Sequence, residues 1–136
     1  MHMTGLSALL LFAALPVILM IIYVGYRVGD VVFAGKPADS WTRGSGAPVP
    51  GFFVRAQNAQ LNCLENLPVF AAIVMAAHFL GRDNLVDAVA APILLARLAQ
   101  IATHLTGVSH WLVLIRGTFF TIQIVLFLYL ITKLLT

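Results

Sequence analysis

The chain has 136 residues, of which 61% are hydrophobic and only 10% charged, and its mean hydropathy is +0.98. A soluble domain carries about 25% charged residues, so this composition excludes an ordinary water-soluble globular protein and identifies an integral membrane protein. The net charge of +3 comes from scattered Lys and Arg with no basic cluster, which argues against nucleic acid as a partner, and the single Cys63 excludes an intrachain disulfide.

Hydropathy predicts four spans, each close to the roughly 20 residues that cross a hydrocarbon core. The first, Leu6 to Tyr26, has no basic segment ahead of it and is too long for a signal-peptide core, so it reads as a genuine span. Gly29 to Gly51, with Gly35, Pro37, Gly44, Gly46, Pro48 and Pro50, reads as a long irregular loop in which Trp41 is an interfacial anchor. The second span, Phe52 to Leu80, and the third, Leu85 to Leu105, form an antiparallel hairpin through the short connection at Gly81 to Asn84. Thr106 to Trp111 joins the third span to the fourth, Leu112 to Leu135, in the same way. Period-2 alternation is absent and the apolar runs far exceed a strand of about 9–11 residues, which excludes a β-barrel. The fold class is all-α, a four-transmembrane-helix bundle with the lipid bilayer around it.

The loops between spans one and two and between spans three and four must emerge on one side. That side carries Arg27, Lys36, Arg43, Arg55 and Arg116, the other only Arg82 and Lys133. The positive-inside rule therefore places loops one and three in the cytoplasm and both termini on the opposite side.

Two polar stripes interrupt the apolar helices. Arg55, Asn58, Asn62 and Glu65 recur at helical spacing, as do Arg97, Gln100 and His104, so each set shares one helix face. A charge at such depth costs roughly 2.5–3.5 kcal/mol on insertion scales, so it normally faces a bundle interior, a partner or a ligand. At 1.5 Å per residue, Arg55 lies about 5 Å into span two, Asn62 about 15 Å and Glu65 about 20 Å. Counted from the same side, His104 lies about 5 Å into span three and Arg97 about 15 Å. His104 is thus level with Arg55, and Arg97 with the Asn62 to Glu65 turn. Glu65 is the only glutamate, and an ion pair or shared network with Arg97 is the expected compensation for burying either charge. Arg116, at the start of span four, completes a basic rim. The same polar residues could also serve only as interhelical hydrogen-bond glue, worth about 0.6 kcal/mol each. The four scattered histidines and single cysteine provide no metal-ligand set, and phosphate loops and nucleophile elbows are absent.

The run from Phe53 through Arg55, Asn58, Asn62-Cys63-Leu64-Glu65 and Pro68 resembles the second-helix motif of the MAPEG family, membrane-associated proteins in eicosanoid and glutathione metabolism. The resemblance extends over nearly the whole chain through the four spans, the long first loop, Arg97 in span three and Ile115-Arg116 opening span four. It implies a homotrimer that holds glutathione as co-substrate between subunits near the cytoplasmic side and presents it to small lipophilic electrophiles or hydroperoxides. It also implies that Asn62 and Glu65 contact the glutathione backbone and that Arg55 contributes to a cationic rim. Arg116 corresponds to the arginine proposed in several members to stabilise the thiolate, the reactive form of the thiol. Asn58, Arg97, Gln100 and His104 complete the candidate glutathione-binding set. Asn58 stands where members with this spacing usually carry arginine, and His104 where the third helix often has tyrosine. Asparagine does not reproduce the bidentate carboxylate clamp of arginine. The principal alternative is a non-catalytic membrane protein of the same fold that binds a lipid or another ligand at this polar face. A transporter is disfavoured by the absence of an inverted repeat or an interrupted span.

Overall fold

A computed structural model describes residues 3–42 and 48–136. Arg43, Gly44 and Gly46, counted above in the first loop, lie outside the described residues. Four long helices account for nearly all of the remainder: α1 Gly5–Ala34, α2 Gly51–Phe79, α3 Asp83–Thr106 and α4 His110–Leu135. All four are long and apolar enough to cross a membrane, and a short 3-10 turn at Ala38–Trp41 follows α1. The protein is therefore an integral, multi-pass, all-α membrane protein, as its hydropathy predicts.

Helix ends follow local chemistry. Thr4 caps α1 by accepting from Ser7 N at 3.2 Å, and Ser109 caps α4 by accepting from Leu112 N at 3.4 Å. Pro50 stands immediately before α2, where a missing N–H costs nothing. Gly81, at φ 65°, turns the chain between α2 and α3 in a conformation that side chains resist.

The first helix runs eight residues past Tyr26, so the irregular loop expected from Gly29 begins only at Gly35. Gly25 and Gly29 are isolated within an otherwise helical, valine-rich run, and a lone glycine weakens a helix by only about 1 kcal/mol. The stop comes at Gly35, at φ 67°, with the Gly35 and Lys36 N–H groups returning to the Asp30 carbonyl and Pro37 following. Lys36 lies just past the helix. Its hydrogen bond to the Asp30 carboxylate at 2.6 Å holds the ammonium above the usual lysine range, so on the alkaline side this tether persists until the pH rises through that raised value. Trp41 packs on Tyr26, which stacks on Phe53 at 4.2 Å, and Arg27 lies over the Tyr23 and Trp41 rings. The first connection is thereby folded against α1 and the start of α2.

The main apolar core occupies the half of the bundle nearest the chain termini. Phe70 lies between Phe12 and Phe127, with centroids 5.5 and 5.6 Å away, among Ala8, Ile73, Ala77, Ala90, Ile93 and Leu130. In lipid the hydrophobic driving force between helices is lost, and close van der Waals packing, which the small residues allow, takes its place. Among the described residues, the buried apolar cluster of the other half is Leu19, Ala56, Ala59 and Cys63. In α4 the buried residues are Gln123, Phe127 and Leu130, and its first turns expose Trp111, Val113, Leu114 and Ile115.

At the termini end, the Gly5 N–H donates to Asp87 Oδ1 at 2.6 Å, tying the start of α1 to α3. Asp87→Ala is expected to lower stability by about 1–2 kcal/mol, the cost of a lost helix cap, with Asp87→Asn intermediate. Thermal melts in detergent provide the measurement; an unchanged midpoint in Asp87→Ala would remove this tether from the account.

Candidate functional site

The two stripes resolve into two layers. At the loop end of the bundle, Gly51, Val54, Arg55 and Asn58 form one face of α2 and line a cleft of about 560 Å³ with His104 of α3, Val108 and Arg116 of α4. Four candidate site residues, Arg55, Asn58, His104 and Arg116, therefore come together, at the common depth expected for Arg55 and His104. Arg55 Nε donates to the Leu105 carbonyl at 2.9 Å. That carbonyl belongs to the last turn of α3, where backbone acceptors lack helical partners and the helix dipole favours a cation. Arg55 thus closes α3 with one edge of its guanidinium. Arg116 is partly buried and forms no hydrogen bond or ion pair with a described residue. Among the described residues no acidic side chain lines the cleft, and Arg55 and Arg116 give it a cationic character.

One to two turns deeper lies a closed network. Arg97 is only 1% exposed, and its Nη1 donates to Asn62 Oδ1 at 2.9 Å and to Gln100 Oε1 at 2.7 Å. Gln100 Nε2 also donates to Asn62 Oδ1, at 2.9 Å. The guanidinium carbon lies 4.9 Å from the centre of the Phe12 ring, a cation–π contact that substitutes in part for a counter-charge. Arg97 Nε and Nη2 have no hydrogen-bond partner among the described residues. Asn62 therefore has its carbonyl oxygen committed to the network, leaving its amide NH₂ for any ligand.

The expected Glu65–Arg97 ion pair is not formed. Glu65 is exposed on the outer face of α2, and no ion pair joins it to Arg97. Three residues on from Asn62, Glu65 lies about 60° around the helix, far enough to leave the face presented to Arg97. Amide oxygens take the place of the carboxylate. The network also includes a residue that the stripes missed: Gln123 of α4, fully buried, donates Nε2 to Gln100 Oε1 at 3.2 Å and to the Phe119 carbonyl at 3.3 Å. Two signals could have found it. It is the only amide in the fourth span, and it stands seven residues from Arg116, on the same face.

A separate groove at the termini end is lined by Pro68, Val69, Ala72, Ile73, Ala76, Ile131, Leu134 and Leu135, with no polar side chain to perform chemistry. Among the described residues, no group of three His, Cys, Asp or Glu side chains is placed to hold a metal ion.

The family model described as MAPEG family matches residues 5–136. No curated protein and no solved structure gave a significant match to the chain.

The closed network carries a testable asymmetry. Removing its acceptors strands a buried charge, whereas removing the charge leaves amides that still pair with one another. Asn62→Leu with Gln100→Leu is expected to destabilise the protein by about 3–5 kcal/mol, and adding Arg97→Met to recover most of that loss. Unfolding in mixed detergent and SDS reads the difference, and equal stability of the double and triple variants would contradict it.

Proposed function

The chain belongs to the MAPEG family, membrane-associated proteins in eicosanoid and glutathione metabolism, and on that premise we propose that it is a glutathione-dependent transferase or peroxidase acting on lipophilic electrophiles or hydroperoxides. The thiol site is the cleft of Arg55, Asn58, His104 and Arg116. The observation that carries this reading is a cationic cleft, without a lining carboxylate, opening between helices of a membrane bundle. Glutathione carries two carboxylates, one ammonium and a thiol, and so enters such a site as an anion. The cleft volume falls within the about 300–1,000 Å³ usual for small-molecule sites.

In this reading Arg116 lies beside the sulfur and favours its thiolate form, because a nearby guanidinium lowers a thiol pKa. Arg55, already fixed at the end of α3, offers its remaining N–H groups to a carboxylate, and Asn58 and His104 supply neutral or switchable donors. In conjugation the thiolate sulfur forms a bond to the electrophilic carbon, and the leaving group departs with the electron pair of the broken bond. With a hydroperoxide the sulfur attacks the distal oxygen, the O–O bond breaks and the alkoxide takes a proton. The resulting sulfenic acid is reduced by a second glutathione, giving disulfide and water. Val54 and Val108 offer an apolar wall along which a lipophilic substrate reaches the sulfur.

Asn62 and Glu65 are proposed to contact the tripeptide backbone, with Arg97 and Gln100 behind them. We place the cleft on the cytoplasmic side and the protein in a homotrimer, in which a neighbouring subunit covers Glu65 and the exposed start of α4. One observation favours a second reading, a non-catalytic ligand-binding protein of this fold. Asn58 cannot make the two parallel hydrogen bonds that an arginine makes to a carboxylate.

Isothermal titration of glutathione into purified protein in detergent distinguishes the two, since absence of binding selects the second. Where glutathione binds, Arg116→Leu is expected to raise the pH at which thiolate absorbance appears by about one unit, a loss of about 1.4 kcal/mol of thiolate stabilisation. Asn62→Ala and Glu65→Gln are expected mainly to weaken binding. Unchanged thiolate formation and turnover in Arg116→Leu would take Arg116 out of the mechanism.

A further inference from the structure

Gln123 is a fully buried polar side chain for which the proposed chemistry has no use. It is 0% exposed, its Nε2 donates to Gln100 Oε1 at 3.2 Å, and its own Oε1 has no partner among the described residues. The amide orientation follows from its neighbours. Both groups it meets, Gln100 Oε1 and the Phe119 carbonyl, are acceptors, so only a donor satisfies them.

We propose that Gln123 is a positioning residue, whose hydrogen bond to Gln100 sets the rotation and register of α4 against α3 and so holds Arg116 beside His104 in the cleft. The role of Arg116 there rests on the function proposed above; its placement does not. α3 and α4 are consecutive helices joined by a short turn and run antiparallel. From Gln100, one turn toward that junction reaches His104, and from Gln123, two turns toward the same junction reach Arg116. Seven residues complete two turns to within about 20°, so Gln123 and Arg116 share a face about 10.5 Å apart along the axis. The Gln100–Gln123 bond is thus a rung beneath the level at which His104 and Arg116 line the cleft.

No other buried residue of α4 lies as close to the cleft. Phe127 and Leu130 are farther from it than Gln123, and Trp111, Val113, Leu114 and Ile115 on its near side are exposed. Phe127 and Leu130 pack α4 in the termini half of the bundle, but near the cleft these side chains are exposed and offer no such packing to fix its rotation there. A directional amide bond does fix it. A change of one residue in facing rotates the helix by 100°, enough to carry Arg116 off the cleft wall.

The test uses Gln123→Leu, which suits a membrane interior, and Gln123→Glu, which matches glutamine in length and in its neutral form offers an O–H donor. In a Cys63→Ala background, a thiol introduced by Arg116→Cys is labelled with a water-soluble maleimide. Gln123→Leu is expected to change the labelling rate by about threefold or more, and Gln123→Glu to restore it. An unchanged rate overturns the placement. With Arg116 intact, Gln123→Leu is expected to raise the thiolate midpoint of bound glutathione by about half a pH unit and lower kcat, with glutathione affinity held within about threefold. A changed labelling rate with an unmoved midpoint upholds the placement and rejects Arg116 as the partner of the thiolate. Absence of glutathione binding in the unmodified protein rejects the proposed function, and labelling alone then decides the role of Gln123.

Discussion

A guanidinium buried within a lipid-surrounded bundle is the constraint on which the rest of this structure depends. Arg97 sits at mid-span, where insertion of a charge costs roughly 2.5–3.5 kcal/mol and no water is at hand to solvate it. The chain answers with amide oxygens and an aromatic face: Asn62 from α2, Gln100 one turn along α3, and the Phe12 ring from α1. Gln123 brings α4 into the same network through Gln100. One charge thereby engages all four helices at one depth. Directional bonds of this kind add to apolar packing in specifying helix rotation.

The division into a closed layer and an open one follows. The deep layer spends the amide oxygens of Asn62 and Gln100 on Arg97, and it lies beneath the cleft. The shallow layer keeps its cations available: Arg116 has no partner among the described residues, and Arg55 spends one N–H on the α3 terminus. A deep arginine held through Nη1 by two amide oxygens lies beneath a rim of arginines that keep donors free. Fold stability and ligand electrostatics are in this way assigned to different residues of the same stripes, and this explains how one helical face can serve both.

Much of this was legible in the sequence because membrane helices obey simple arithmetic. Four apolar runs gave four helices, and depth counted at 1.5 Å per residue matched Arg55 with His104 and Arg97 with Asn62, as the cleft and the network then showed. The errors have equally definite causes. The extension of α1 to Ala34 was hidden by Gly25 and Gly29, which look like loop signals but cost a helix little when its end is fixed by a left-handed Gly35. The Glu65–Arg97 pair failed because opposite charge was weighted over azimuth: depth agreed, facing did not. Gln123 escaped because a single glutamine in an apolar span makes no stripe, and its importance comes from a partner on another helix.

Glu65 remains the one mid-span charge that the single chain does not enclose. Its depth is about 20 Å from the loop end of α2, well inside the hydrocarbon, and snorkelling from there is beyond the reach of so short a side chain. The exposed first turns of α4 are, by contrast, apolar and at ease in lipid. The two surfaces therefore differ: α4 is apolar, whereas Glu65 is a charge that a neighbour, or a ligand with a donor, would compensate. In the proposed trimer both are covered by the same act of assembly, with the neighbouring subunit removing the carboxylate from lipid and walling the cleft beside Arg116. In that proposal the carboxylate expected to neutralise Arg97 inside the chain serves the contact between chains instead.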